Sequence, residues 1–573
     1  MVVTMNKRIT KRLLAAGVSA CLLLSFAGCA GGGGQTPSGP SESELTAVRD
    51  GLKKDSQVEG LSTIDKMEFY ENGERSAASE LVEAKDNKVI YYSGDIQRVV
   101  NYTDGYIVDI PADWKQDFTL SPIRVRYTGE NTLLTITTED VKKPTAEEHL
   151  KEYVNLYLLD KNWQKKNRVT ELQPTETKTY GEFTAQIIRL KLDDMPEGSQ
   201  DHYTYVNLYS SRTQFYHFLF KSTAPVENLD AILNSFDRIG QRGMAMYSVK
   251  YDSPTPNDNW SQETKDFYTA LCSKEKKDWG IFNSNMATTG YKVIIPNMEK
   301  KIGYDFPIVS QYVHLGHEFP LEFAKKVNED GKILQMTYQY TSSNNTDLGG
   351  YTPVLDILRG EKDDVLREFA RAIKEYGKPT LFRLNNEMNS DWTTYCALVN
   401  MVDGDTFVDS WMRLYNIFEE EGVNNAIWIF NPQSGSFPPG KWSNWINYLP
   451  PIETVHVIGL TAYCSGYDGF PSWKDLYTQN IKHLAPFFQE NWPMAIPEYA
   501  CGRGDGSLKQ EQLDWITQMF KDADDLPQIK YAIWFSANDY KDGGTKVQNY
   551  YGLDVKDAEL METFNKGLAG YHS

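Results

Sequence analysis

The chain has 573 residues, more than one ordinary domain holds, so two or three domains are expected. Its formal net charge of −19 excludes nucleic acid and anionic lipid headgroups as general partners of the body of the protein. Aromatics make up 13%, and most of the 13 Trp fall after residue 255, which suits dense packing or stacking on sugar rings.

The first stretch, "MNKRITKRLLAAGVSACLLLSFAGC", has a basic start (Lys7, Arg8, Lys11, Arg12) and an apolar run from Leu13 to Ala27. That run is too short for a durable membrane span and reads as an export signal over 1–28. Its end, "SFAGC", resembles a bacterial lipobox, with Phe26 where Leu is usual. The resemblance implies that Cys29 carries a lipid and anchors the protein, outward facing, at a bacterial cell surface. An ordinary secretory signal with a chance Cys is the alternative. Residues 29–44, rich in Gly, Ser and Pro, form a flexible tether. Cys272, Cys396, Cys464 and Cys501 remain after the signal and the lipid site are set aside. They show no C-x-x-C spacing, so no metal site and no cofactor is expected. Export permits disulfides. Cys464 and Cys501 each closely follow an expected strand and are the pair to test, while free thiols fit equally well.

Residues 45–245 read as an α+β domain with an antiparallel sheet. The strands are "YIVDIP", "IRVRYT", "LLTITT", "FTAQIIRLKL", "YTYVNLYSS" and "QFYHFLFKS". Thr145 to Glu148, "TAEE", is a capping box that opens one helix, and a second helix is expected from about Pro225 to Phe236. "GYIVDIPADW" with the later strands and closing helix resembles PsbP-like domains and carries no catalytic motif.

From 255 to 573 apolar runs alternate with helices. The runs are 279–283, 306–313, 332–339, 379–387, 425–432, 455–463, 493–498 and 530–538. Leu366, Phe369, Ala370 and Ile373 make one face of a helix from Asp363, stopped by "GKP", and Ser507 to Gln510 reads as a second capping box. This pattern predicts a (β/α)8 TIM barrel. An open doubly wound sheet is the alternative, weakened because no Gly-rich phosphate loop follows the first run.

Barrel sites lie at the C-terminal strand ends. The fourth run ends in "RLNNE", the sixth in Tyr463 and the seventh in Glu498, and the eighth carries Trp534. Two carboxylates facing one pocket are the minimum for cleaving a glycosidic bond, and at roughly 5–5.5 Å apart they give retention of configuration. Strand alternation places Arg383, Asn385 and Glu387 on one face and Phe382, Leu384 and Asn386 on the other. Arg383 would then lie one layer below the carboxylates. "HLGHE" at 314–318 lacks metalloprotease spacing and reads as a loop. Asp391, "GYDG" and Trp473 suit subsite loops or ordinary turns.

"RLNNEMNSDW" and "IPEY" resemble the strand-four and strand-seven motifs of glycoside hydrolase family 26, the β-mannanase family of the retaining clan A. The resemblance extends over about 280–560 and includes "IWIFNP". It implies that Glu387 is the acid/base, Glu498 the nucleophile and Tyr463 the nucleophile's hydrogen-bond partner. It also implies that Arg383, Asn386, Trp392 and Trp534 line the sugar sites. Asn386 stands where that family has His, but Asn-Glu is the pattern of the wider clan. Ser390 replaces Gly, and "PEYACG" is not the usual strand-seven sequence. The expected activity is endo cleavage of a plant-type β-1,4-linked polysaccharide, mannan or glucomannan first, with mixed-linkage glucan and xylan open. A monomer is expected, and a lipid-anchored glycan-binding protein without turnover is the second reading.

Overall fold

The computed structural model describes residues 68–71, 74–75, 88–93, 95–101, 103–238, 251–252, 254–341, 350–467, 469–484, 486–540 and 546–571. The expectations for the signal, Cys29 and the tether lie outside these residues. Two compact units result, one from the residues up to 238 with Pro439–Trp442, the other from 251–438 and 443–571.

The first unit holds a 6-stranded and a 7-stranded sheet, both antiparallel. Inward residues of both sheets, including Val99, Val108, Ile136, Ile187, Val206 and Phe218, share one core with Phe236. Thr145 caps its helix as expected, its hydroxyl accepting from the Glu148 amide at 3.1 Å. The segment after it folds as three short helices, Ala146–Glu152, Val154–Leu158 and Lys161–Lys166. A long strand, Val169–Tyr180, was not expected. It is the outer strand of its sheet, is mostly exposed, and its pairing slips around Pro174. An edge tolerates both the Pro and the polar faces.

The second unit is a closed barrel of eight parallel strands. They are β1 (Asp278–Asn283), β2 (Ile308–His314), β3 (Ile333–Gln339), β4 (Thr380–Leu384), β5 (Ala426–Phe430), β6 (Val457–Thr461), β7 (Met494–Tyr499) and β8 (Ile529–Ser536). Burial on both faces explains why these segments read as near-continuous apolar runs. Helix Asp363–Tyr376 buries the expected face and stops at Gly377, whose φ of 65° suits a residue without Cβ. Between β5 and β6 two 3-10 turns, Trp445–Tyr448 and Ile452–Thr454, replace the usual α-helix. The expected capping box at Ser507 does not form. The helix starts at Lys509 after Leu508, and the Ser507 amide instead donates to Asp505. Among the described residues no helix is long and apolar enough to cross a membrane.

Candidate active site

The short strand β4 ends at Leu384, and the chain then turns sharply. Asn385 and Glu387 both take left-handed conformations, φ 49° and 57°. Such geometry costs energy for residues with a Cβ and persists only where surroundings hold it. Here the Tyr340 amide donates to Asn385 Oδ1 at 2.7 Å, and the Glu387 amide donates to the Asn431 carbonyl at 2.8 Å. The turn breaks the alternation of the strand. Asn386, expected on the face opposite Glu387, reaches the same pocket, while the Asn385 side chain is tied to backbone.

Glu498, on β7, collects donors from three other strand ends. Tyr463 donates to Oε1 at 2.5 Å, Arg383 Nη2 lies 3.1 Å from Oε2, and the Tyr312 hydroxyl also donates to Oε2. A carboxylate accepts only, so this set suits an anion. Burial, and then the Glu498 charge, push the Tyr463 phenol well above its ordinary pKa, so it remains a donor. Burial does the same for Tyr312 against the opposing pull of Arg383. Arg383 is wholly buried and spreads its guanidinium over Thr337 Oγ1 (2.8 Å), Asn431 Oδ1 (2.9 Å) and the Tyr312 hydroxyl (2.6 Å). It therefore reads as a partner of Glu498, one layer down, as its place on β4 suggested.

Glu387 meets the opposite environment. Burial first, and the Glu498 charge second, push its carboxyl up to about 8. The Trp392 Nε1–H donates to Oε2 at 3.0 Å and fixes the side chain. The Trp392 ring lies 5.4 Å from Phe437, in the loop after β5. Asn389 locks the two loops together, donating to the carbonyls of Gln433 and Gly435 and accepting from the Gln433 amide.

Two Trp expectations are corrected. Trp534 points out of the barrel and is closed to a sugar. It is 1% exposed, packs on Tyr499 and Phe564, and its indole donates to the Tyr551 carbonyl. The parity of β8 is the reason: Tyr531, Ile533 and Phe535 join the barrel's core cluster. Phe535 stacks on Phe282 with ring centres 4.8 Å apart and faces Tyr463 and Tyr312. Trp473 is likewise fully buried, against Tyr477. Cys464 and Cys501 lie side by side, with the Cys464 amide donating to the Ala500 carbonyl at 3.1 Å, and both are free thiols.

Four residues of the site were missed in the sequence: Tyr312, Asn431, Phe437 and Asp539. Asp539 sits in the hairpin after β8, where burial and then the Glu498 charge push it up to about 6. A polar residue one to three places past each strand end was the available signal, and it covers Asn431 and Asp539. The pair at 314 and 317 forms a ring contact at 6.0 Å. Among the described residues no cluster of His, Cys, Asp and Glu is arranged to hold a metal.

No protein-family profile matches the chain. It is 23% identical over 256 residues to endoglucanase H of Acetivibrio thermocellus, a match covering 43% of this chain and 26% of that protein. The chain thus spans about a quarter of the length of that relative. Solved structures similar to it include a glycoside hydrolase family 26 protein of Muricauda, at 18% identity over 48% of this chain and 89% of that one, TM-score 0.35. A family 26 β-mannanase of Bacteroides ovatus follows at 14% identity, 54% and 93% coverage and TM-score 0.41. A β-mannanase from a symbiotic protist of the termite Reticulitermes speratus, complexed with gluco-manno-oligosaccharide, stands at 14% identity, 56% and 95% coverage and TM-score 0.39.

Proposed function

We propose that the barrel is a retaining endo-β-glycosidase acting on a β-1,4-linked polysaccharide, with mannan or glucomannan as its first substrate class. One observation carries the reading: two buried glutamates lie close enough for the charge of one to act on the other, and their surroundings differ. Burial and the Glu498 charge raise the pKa of Glu387 and so favour its acid form. Glu498 is surrounded by Arg383, Tyr312 and Tyr463 as donors. Environments that divide two carboxyls in this way mark an acid and a nucleophile. The β-mannanases and the endoglucanase among its similar proteins support a β-glycan as substrate.

In this mechanism a Glu498 oxygen attacks the anomeric carbon while Glu387 delivers its proton to the departing glycosidic oxygen. The glycosyl–Glu498 ester that results carries no charge. Glu387 then loses the neighbouring anion that raised its pKa and becomes a base. It takes a proton from water, whose oxygen attacks the anomeric carbon and releases Glu498. Trp392, which holds Glu387 and has Phe437 beside its ring, offers the leaving sugar an aromatic wall. The sequence of the first 44 residues supports a lipid anchor at Cys29 and an outward-facing location.

Reducing-sugar release by the full chain from glucomannan, galactomannan, mixed-linkage glucan and xylan, with Glu498→Ala alongside, tests the reading. Release from one polymer that disappears in the variant supports it. No release from any polymer, with both proteins binding glycan equally, makes the barrel a binding protein.

A further inference from the structure

We infer that Tyr395 and Gln339 are positioning residues that fix the direction of the Asn386 amide, so that the pocket is offered a hydrogen-bond donor and not an acceptor. The kinetic consequence rests on the glycosidase reading; the geometry does not.

The argument starts from an atom with no choice. The main-chain oxygen of Asn386 can only accept, and the Tyr395 hydroxyl lies 2.9 Å from it. Tyr395 directs its single proton there, the nearer of two acceptors, with Asn386 Oδ1 at 3.4 Å the other. Burial, the largest influence, keeps this phenol well above its ordinary pKa, so the proton stays. With that proton committed, the Tyr395 oxygen can only accept from Gln339, 3.3 Å away. Gln339 must therefore present its NH2 group. The same Nε2 lies 2.9 Å from the Asn386 side chain, which must then present Oδ1. Only Asn386 Nδ2 is left for the pocket, 3.5 Å from Glu498 Oε2.

A reversed amide would set the Gln339 and Tyr395 oxygens against each other and turn Asn386 Oδ1 toward the Glu498 carboxylate. Each contact is then acceptor on acceptor, in a buried place where water does not compensate. Tyr395 is 1% exposed and Asn386 6%. The donor so oriented stands beside the nucleophile. That is where a substrate hydroxyl next to the reacting carbon gains hydrogen bonding in the transition state.

The experiment uses the full chain and two readouts. Neutron diffraction locates the amide deuterons of Asn386 and Gln339. Nδ2 toward Glu498 is the expected result, and Oδ1 in that place overturns the inference whether or not any glycan is cleaved. Kinetics of Tyr395→Phe, Asn386→Ala and the double variant are compared on an aryl glycoside and its 2-deoxy analogue. Tyr395→Phe lowers kcat/KM by about tenfold, mostly in kcat, the size of one buried hydrogen bond. That loss is absent in the Asn386→Ala background and on the 2-deoxy substrate. An unchanged kcat/KM, or an equal loss in both backgrounds and on both substrates, overturns it. A wild type that cleaves nothing overturns the glycosidase reading and leaves the diffraction result to decide this one.

Discussion

Arg383 and Glu498 meet across the barrel, Nη2 to Oε2 at 3.1 Å, tying β4 to β7 through a guanidinium that no solvent reaches. Its other hydrogen bonds go to side chains from β2, β3 and the end of β5. Removing one partner of a buried pair leaves the other charge uncompensated, at a cost of about 3–5 kcal/mol. Arg383→Ala is expected to lower the unfolding free energy of the barrel by about that amount, read by chemical denaturation. A loss below about 1 kcal/mol would mean the pair is solvated.

The two tyrosines on Glu498 have separable effects. Tyr463→Phe deletes one hydrogen bond to a charged group, and Tyr312→Phe deletes two, one donated to Glu498 and one accepted from Arg383, each worth about 1.5–3 kcal/mol. Each variant is expected to lose about 10- to 100-fold in kcat, with the double variant lower still. Unchanged steady-state turnover in Tyr312→Phe would remove that residue from the site.

The pH dependence follows from Glu387. Its acid form is required for cleavage and is lost as pH rises through about 8, so kcat/KM falls on an alkaline limb there. Glu498→Gln removes a charge that raises this pKa, and direct carboxyl titration by NMR is expected to find Glu387 lower in that variant. Trp392→Phe acts the other way, since the indole hydrogen bond lowers the pKa, and its alkaline limb moves up. A limb that stays put in Trp392→Phe would assign the titration to another group.

In the first unit, burial lowers both His149 and His217 to about 4. Unfolded histidines take a proton near pH 6.5, while these folded ones stay neutral until about 4. Stability is therefore full above the unfolded pKa and falls as pH drops from there toward 4, by at most about 3 kcal/mol for each His. Hydrogen-exchange protection of strands His202–Tyr209 and Gln214–Ser222, relative to the intrinsic rate at each pH, should fall over that window. Exchange protection that is flat across it would contradict the burial of these rings.

Trp534 is a packing residue, so Trp534→Ala should cost about 3–5 kcal/mol of stability. The milder Trp534→Phe should leave KM for any cleaved polymer unchanged. A large rise in KM in that folded variant would return the residue to the sugar site.

The barrel was legible because a strand buried on both faces must be apolar along its length, as in 279–283 and 530–538. Glu387 and Glu498 were legible as carboxylates at the ends of such runs. What escaped has local causes. Asn386 was assigned to the wrong face because two left-handed residues replace the alternation. Trp534 was assigned to the sugar site, where Phe535 stands, because the parity of β8 is set by its neighbours and not by its own sequence. Tyr312 sat inside the apolar run 306–313, with nothing to single it out. Val169–Tyr180 carries the composition of a surface loop because an edge strand is nearly as exposed as one.

The most direct test of the central claim is to trap the nucleophile. The full chain is incubated with 2-deoxy-2-fluoro β-mannosyl and β-glucosyl fluorides, digested, and mapped by mass spectrometry. The account predicts one glycosyl group per chain, attached to Glu498 and absent in Glu498→Ala. A label on Glu387, or steady turnover of a polymer with no label on Glu498, would contradict it.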